Sequence, residues 1–347
     1  MFFLGIETSC DETAAAVVAD DRTILSNVIL TQLEEHKPYG GVVPEIAARS
    51  HLHNLPQIVE SALAEAKLDF AKLGGVAATA GPGLIGGVMV GLMAAKSIAL
   101  VHHLPFFAIN HMEAHALTPR LTNDIDFPYL ALLVSGGHSQ FVAVAGANDH
   151  RILGTTMDDA IGEAYDKSAN LLGLPYPGGP AIEVAAANGD PTAFDLPRPL
   201  KGRPNCDFSF SGLKTAVRKL IERPDIRLEE GSTVADIAAS FQAAATEVAA
   251  DRTRHAIGMF KQIHPEGKTF VVAGGVASNK ILRRELQNVV QAADFNFAAP
   301  PLNLCTDNGA MVAWAGIERF NINESCPLDF APRPRWPLDE LGSGSQG

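Results

Sequence analysis

The stretch Tyr129-Leu130-Ala131-Leu132-Leu133-Val134-Ser135-Gly136-Gly137-His138-Ser139-Gln140-Phe141-Val142-Ala143-Val144 decides the fold. Tyr129 to Val134 reads as a buried strand, Ser135 to Ser139 as a turn of small residues, and Gln140 to Val144 as the returning strand. The chain opens with the same device: Phe2 to Thr8 is a strand pattern, Ser9-Cys10-Asp11-Glu12-Thr13 a polar turn, and Ala14 to Val18 a second strand. Two such starts predict a duplicated architecture.

Between the hairpins lie a helical stretch from Pro44 to Ala66, a buried strand Val76 to Ala80 and a Gly-rich helix from Leu84 to Val101. After the second hairpin come helices near Ala160 to Leu172 and Thr233 to Ile263, a strand Thr269 to Ala273 and a last helix Thr306 to Phe320. Strands alternating with helices imply an α/β protein with open mixed sheets covered by helices. Asp190 to Asn205, rich in Pro, Arg and Gly, reads as a surface loop or insertion, and Gly342 to Gly347 as a disordered tail.

At 347 residues the chain is long enough for two lobes that each bury a core. Hydrophobic residues at 47% against 19% charged exclude disorder and coiled coil. Cys10, Cys206, Cys305 and Cys326 form no C-x-x-C pair, so a reducing cytoplasm is expected. The N-terminal apolar run meets Glu7 at once and reads as a strand, not a signal peptide. The apolar stretch Leu84 to Ala95 stops at Lys96, so no membrane segment is expected. A net charge of −12 argues against a broad nucleic-acid face, although Arg198/Lys201/Arg203, Lys214/Arg218/Lys219 and Lys280/Arg283/Arg284 form local basic clusters.

Gly-rich turns such as Ser135-Gly136-Gly137 suit a cleft holding a nucleotide, since glycine lets backbone N–H groups approach phosphate oxygens; the plainer reading is a hairpin turn. Gly81-Pro82-Gly83-Leu84-Ile85-Gly86 spells the dinucleotide fingerprint, but the next acid is Glu113, too far on to hold a ribose. These glycines are expected to serve close helix packing.

His111-Met112-Glu113-Ala114-His115 places two imidazoles at i and i+4, on one helical face and able to share a metal. A zinc protease needs H-E-x-x-H, and here Met112 follows the first histidine while Glu113 points away. Asp307, in Cys305-Thr306-Asp307-Asn308-Gly309, is a candidate third ligand or a helix N-cap.

With these residues in view the chain resembles the tRNA N6-adenosine threonylcarbamoyltransferase family. The likeness runs through Leu4-Gly5-Ile6-Glu7-Thr8-Ser9-Cys10-Asp11-Glu12-Thr13, Tyr39-Gly40-Gly41-Val42-Val43-Pro44-Glu45, His111 to His115 and Leu132 to His138. It continues through Tyr176-Pro177-Gly178-Gly179-Pro180, Phe208-Ser209-Phe210-Ser211-Gly212-Leu213-Lys214, Gly274 to Asn279, Cys305 to Ala310 and Arg333-Pro334-Arg335-Trp336-Pro337.

The resemblance implies an actin-like ATPase fold of two ribonuclease-H-like lobes around a central cleft. The lobes are expected at 1–109 and 110–325, the second carrying the metal and adenylate sites, with a tail at 326–347. It implies one divalent metal ion, iron or zinc, on His111, His115 and Asp307. Adenylate-binding positions carry over to Leu133, Val134, Ser135, Gly136, Gly137, Asp166, Gly179 and Asn279, with Glu183 as a further acidic member. Asp166 read alone would be a solvated helix residue. The implied reaction moves threonylcarbamoyl from its adenylate to the N6 amine of the adenosine 3′ of the anticodon, in tRNAs reading codons that begin with A, and releases AMP. Implied partners are tRNA, a paralogous actin-like subunit (TsaB-like) and a small ATPase (TsaE-like), with ATP and magnesium as a further ligand of the fold. The competing readings are a metallo-endopeptidase and a passive actin-like ATPase. The residues of the His pair vary between its ends in the family, and neither a general base nor a role for Asp190 to Asn205 is implied.

Overall fold

The computed structural model describes residues 1–39 and 41–341, so the tail expected at Gly342 to Gly347 lies outside the described residues. In chain order the strands are β1 (Phe2–Glu7), β2 (Glu12–Ala19), β3 (Ile24–Thr31), β4 (Gly75–Gly81), β5 (Phe106–Asn110), β6 (Tyr129–Val134), β7 (Ser139–Val144), β8 (His150–Thr155), β9 (Thr269–Ala273) and β10 (Asn296–Ala298). The helices are α1 (Leu33–His36), α2 (Pro44–Ala66), α3 (Ile85–His102), α4 (His111–Thr122), α5 (Ile161–Leu171), α6 (Gly178–Ala186), α7 (Ser211–Ile221), α8 (Gly231–Ile263), α9 (Lys280–Ala292) and α10 (Gly309–Asn321).

Two compact units result. The first comprises Met1–Asp126, Ala145–His150 and Pro300–Gly347; the second comprises Phe127–Val144 and Arg151–Ala299. Their sheets repeat one topology, β3-β2-β1-β4-β5 in the first and β8-β7-β6-β9-β10 in the second. In the first, β1 runs antiparallel to β2, with Glu7 opposite Ala14, and parallel to β4. In the second, β6 runs antiparallel to β7, with Val134 opposite Ser139, and parallel to β9. Strands paired in parallel at a sheet centre are covered on both faces, which is why β4 and β6 are buried throughout and show no alternation. The duplication read from two hairpins is thus a duplication of whole sheets.

The division differs from contiguous lobes at 1–109 and 110–325. Helices α4 and α10 belong with the first sheet, because α10 packs on β1, β2 and β4 and against α4. The segment after residue 325 is not a loose tail: Cys326 and Arg333 donate backbone bonds to Phe106 and Ala80, and Trp336 is buried. Asp190 to Asn205 wraps α8, where Arg198 and Lys201 both pair with Glu247 and the buried Arg252 donates to the Asn205 carbonyl. That loop is a strap on unit 2, and its Arg198 and Lys201 are already committed.

Among the described residues α3 is the one helix long and apolar enough to cross a membrane, a property not expected from the run ending at Lys96. Its inner side packs on β4 and β1, where a Cβ at Gly91 would stand 2.3 Å from the Thr8 hydroxyl oxygen. The glycines after Gly81 therefore serve close packing, as expected.

Helix α10 approaches β1 and β2 backbone to backbone. A Cβ at Gly5 would lie 2.3 Å from Ala313 N and 2.3 Å from Gly309 O, and one at Gly309 would lie 2.5 Å from Ala16 N. Backbone cannot move aside as a side-chain tip can, so Gly5→Ala and Gly309→Ala should each cost about 1–3 kcal/mol, the usual penalty of overpacking. Urea denaturation measures this, with Gly41→Ala as the control, since nothing lies within 4 Å of its added Cβ. A Gly5→Ala chain as stable as wild type would contradict this packing.

Candidate metal centre and nucleotide-binding loops

Helix α4 begins at His111 because Asn110, the last residue of β5, caps it. Asn110 Oδ1 accepts from the N–H groups of Met112 (2.9 Å) and Glu113 (3.4 Å), and Glu113 Oε2 accepts the Asn110 N–H at 3.3 Å. The remaining Asn110 amide donates to the Trp336 carbonyl at 2.8 Å, which ties the helix start to the C-terminal segment. One turn on, His115 brings its ring to 4.7 Å from that of His111, edge to face.

Asp307 arrives from the loop before α10. The cap of α10 is Asn308, whose Oδ1 accepts from Met311 N at 3.0 Å, so Asp307 is not spent on capping. Its Oδ1 lies 3.0 Å from His115 Nε2 and 3.6 Å from His111 Nε2. One ligand atom from each of the three residues lies within 4.8 Å of the others. Two imidazole nitrogens and one carboxylate oxygen are the donor set of a catalytic zinc or iron site that keeps a position open. Nδ1 of the buried His115 has no hydrogen-bond partner among the described residues.

A fourth residue, not singled out in the sequence, completes this pocket. Glu7 at the end of β1 is fully buried; its Oε1 accepts from Ser9 N at 2.5 Å, and its Oε2 accepts from the Thr79 hydroxyl at 2.5 Å. Oε2 also lies 3.2 Å from His111 Nδ1, as does Ser9 Oγ. The available signal was an acid closing the apolar strand Phe2-Phe3-Leu4-Gly5-Ile6, since a buried carboxylate demands a partner.

Burial pushes the Glu7 carboxyl up, but the charge and hydrogen bond of His111 outweigh it and hold the group below the ordinary carboxylate range. Burial likewise pushes the His111 imidazole down, and the charges of Asp307 and Glu7 outweigh it, leaving the pKa raised to about 9. Glu12 is pushed up to about 10 by burial and then by the charges of Asp307 and Asp11, so it is a neutral acid at pH 7. Glu113 makes two bonds to Arg319, at 2.6 and 3.2 Å, and is fully buried. It cannot leave that pair to serve as a protease base.

The positions expected to bind adenylate all fall in the second unit. Leu133 and Val134 are buried at the end of β6, so only their backbone can meet a ligand. Ser135 holds the turn, its N–H donating to His138 O (2.9 Å) and its Oγ accepting from His138 N (3.1 Å). Nothing lies within 4 Å of the Cβ that Gly136, Gly137 or Gly179 would carry, so the turn and the start of α6 are open at these positions. Three of the expected polar residues cap helices. Asp166 Oδ1 accepts from Gly178 N at 2.7 Å, Glu183 Oε1 from Lys280 N at 3.0 Å, and Asn279 Oδ1 from Leu282 N at 2.9 Å. Asn279 also donates to Gln242 Oε1 at 3.0 Å, a partner on α8 that the sequence did not reveal. Glu183, Gln242, Val184, Lys280 and Ile281 line a cavity of about 1020 Å³.

Comparison with known proteins gives these residues a context. The family model for TsaD, tRNA N6-adenosine threonylcarbamoyltransferase, matches residues 23–314. The chain is 58% identical over 339 residues to the tRNA N6-adenosine threonylcarbamoyltransferase of Paramagnetospirillum magneticum, covering 98% of this chain and 97% of that one. It is 60% identical over 342 residues to the enzyme of that name from Rhodospirillum rubrum, covering 97% and 94%. In fold it is similar to HypF from T. kodakarensis, at a TM-score of 0.57 and 14% identity over 92% of this chain and 48% of that one. The duplicated sheets are those of an actin-like fold built from two ribonuclease-H-like halves. The chain therefore belongs to the tRNA N6-adenosine threonylcarbamoyltransferase family, enzymes that transfer a threonylcarbamoyl group onto an adenosine of tRNA.

Proposed function

We propose that the group donor is threonylcarbamoyl adenylate, that the acceptor is the N6 amine of the adenosine 3′ of the anticodon in tRNAs reading codons that begin with A, and that AMP is released. The observation that carries this reading is the convergence of His111, His115 and Asp307 on one point beside buried Glu7. These residues would hold an iron or zinc ion. When bound, the ion supplies a Lewis acid to oxygens on which negative charge develops, which matters because an aromatic amine is a weak nucleophile.

The rest falls to the chain itself. The turn at Ser135, Gly136 and Gly137 offers the backbone N–H groups of its two glycines to the phosphate, and Gly179 leaves room beside it. Asp166 and Glu183 each give one carboxylate oxygen to a helix N-terminus, leaving the other oxygen for ribose hydroxyls. The cavity flanked by Val184 and Ile281 suits the adenine ring. In the transfer, the N6–carbon bond forms, the anhydride carbon–oxygen bond breaks, AMP keeps the bonding pair and N6 releases a proton. ATP with magnesium would compete for the same phosphate and ribose contacts. With Glu113 held by Arg319, the endopeptidase reading has no base to act through.

Partners follow from surface chemistry. Ile85, Met89 and Met93 are 47%, 47% and 56% exposed along α3, and Leu52 on α2 is 68% exposed. Such an apolar row suits the paralogous actin-like subunit, while the small ATPase and cationic partner surface would assist a chain of net charge −12 in holding tRNA. No disulfide joins the four cysteines, which suits the cytoplasm.

Because Asn308 caps α10, Asp307→Asn should keep that helix and the fold, the metal-free chain losing only the pairing of Asp307 with protonated His111, while weakening metal binding by more than about 100-fold, beyond the usual loss from an outer partner. In cells depleted of the wild-type protein and supplied with this variant, mass spectrometry of tRNA nucleosides should find threonylcarbamoyladenosine gone. Normal levels of the nucleoside would contradict the proposed role of the triad.

A second expectation concerns pH. His111 has its pKa raised, so its proton stabilises the metal-free fold fully below about 6.5, and that contribution is lost as pH rises through about 9. A metal must displace that proton, so its affinity should rise about tenfold per pH unit up to about 9. Calorimetry at pH 7 in buffers of different ionisation enthalpy should register one proton released per metal, and none released would contradict the assignment.

Gly137→Val should weaken binding of a non-hydrolysable adenylate analogue, measured by calorimetry, because the side chain fills space the ligand needs. Unaltered affinity would return that glycine to a turn-forming role.

A further inference from the structure

We propose that Glu7 is the positioning residue of the metal centre, holding His111 in the single tautomer whose Nε2 is bare and turned toward the ion; this rests on the metal reading above. Glu7 Oε1 faces the Ser9 N–H at 2.5 Å, and Oε2 faces both the Thr79 hydroxyl at 2.5 Å and His111 Nδ1 at 3.2 Å. An ionised carboxylate only accepts, so the nitrogen it faces must be an N–H. Nδ1 therefore keeps its proton, and Nε2, 3.6 Å from Asp307 Oδ1, is the nitrogen left to give up its proton and ligate when a metal binds. Outer carboxylates of this kind orient the ring and raise the basicity of a metal-bound imidazole.

Ser9 Oγ, also 3.2 Å from Nδ1, cannot make this choice, because a hydroxyl donates or accepts with equal ease. The isosteric change Glu7→Gln exposes the difference. If the new NH2 takes the Oε1 place, it meets the Ser9 N–H, donor against donor. If it takes the Oε2 place, Nδ1 must become an acceptor, the proton moves to Nε2, and the ligand atom is blocked. No amide orientation keeps both the backbone bond and the ligating tautomer.

The test titrates zinc into the metal-free full chain by chelator competition and records the visible spectrum of the cobalt(II) form, for wild type, Glu7→Gln, Ser9→Ala and His111→Ala. Near-ultraviolet circular dichroism checks the fold of each. Glu7→Gln should bind zinc about 10- to 100-fold more weakly with an altered cobalt spectrum, whereas Ser9→Ala should stay within about 3-fold. If Glu7→Gln does not fold, Thr79→Val loosens the same carboxylate without removing it, and a several-fold loss is expected in its place. Wild-type affinity and spectrum in folded Glu7→Gln, or in Thr79→Val where that is the variant measured, while His111→Ala loses the metal, would overturn the role of Glu7 alone. A wild-type chain that binds neither ion would overturn the metal reading, and this inference with it.

Discussion

The first unit depends on backbone lying against backbone where β1 meets α10. Gly5 lets β1 approach α10, and Gly309 lets α10 approach Ala15 and Ala16 of β2, to distances at which any Cβ would meet backbone, while a Cβ on Gly316 would meet the side chain of Ala77 in β4. A helix held so closely has one register on the sheet. The loop that precedes it then delivers Asp307 to one place, near the end of β1 where Glu7 sits. The partner histidines are fixed independently, through the Asn110 cap and its bond to the Trp336 carbonyl. Three segments far apart in the chain therefore meet without any of them being a flexible arm.

What they form is a small electrostatic trap. Two buried imidazoles stand beside two carboxylates, an arrangement that would be costly if any member were left unpaired. In the metal-free chain the answer is a proton on His111, held by Asp307 and Glu7. A divalent cation answers the same need with more charge and a defined geometry. The same pocket keeps Glu12 neutral, since burial disfavours its charged form and another negative charge beside Asp307 would be repelled. The second unit solves a different problem: Asp166, Glu183 and Asn279 satisfy helix N-termini and in doing so fix the starts of α6 and α9.

Much of this was legible in the sequence, and the exceptions have physical reasons. The two hairpins announced themselves because a buried strand, a small-residue turn and a returning strand are local features, and both sheets grew from them. The His pair was legible because i,i+4 spacing is a property of one helix. Asp307 and Asn308 are adjacent and equally able to cap, so only the placement of α10 decides which one is left for a ligand. Glu7 was hidden because its partner, His111, is 104 residues away, and the division into units was misjudged because α10 returns to the first sheet from the end of the chain. Asp166 read as a solvated helix residue because its bond to Gly178 links separate helices.

The central claim is that His111, His115 and Asp307 hold one catalytic metal ion. Anomalous diffraction at the metal absorption edge from crystals of the metal-loaded protein tests it most directly. The account predicts a single peak per chain bonded to Nε2 of both histidines and to the Asp307 carboxylate, with Glu7 on Nδ1 of His111. A peak elsewhere, or bonded to sulfur or to His111 through Nδ1, would contradict it.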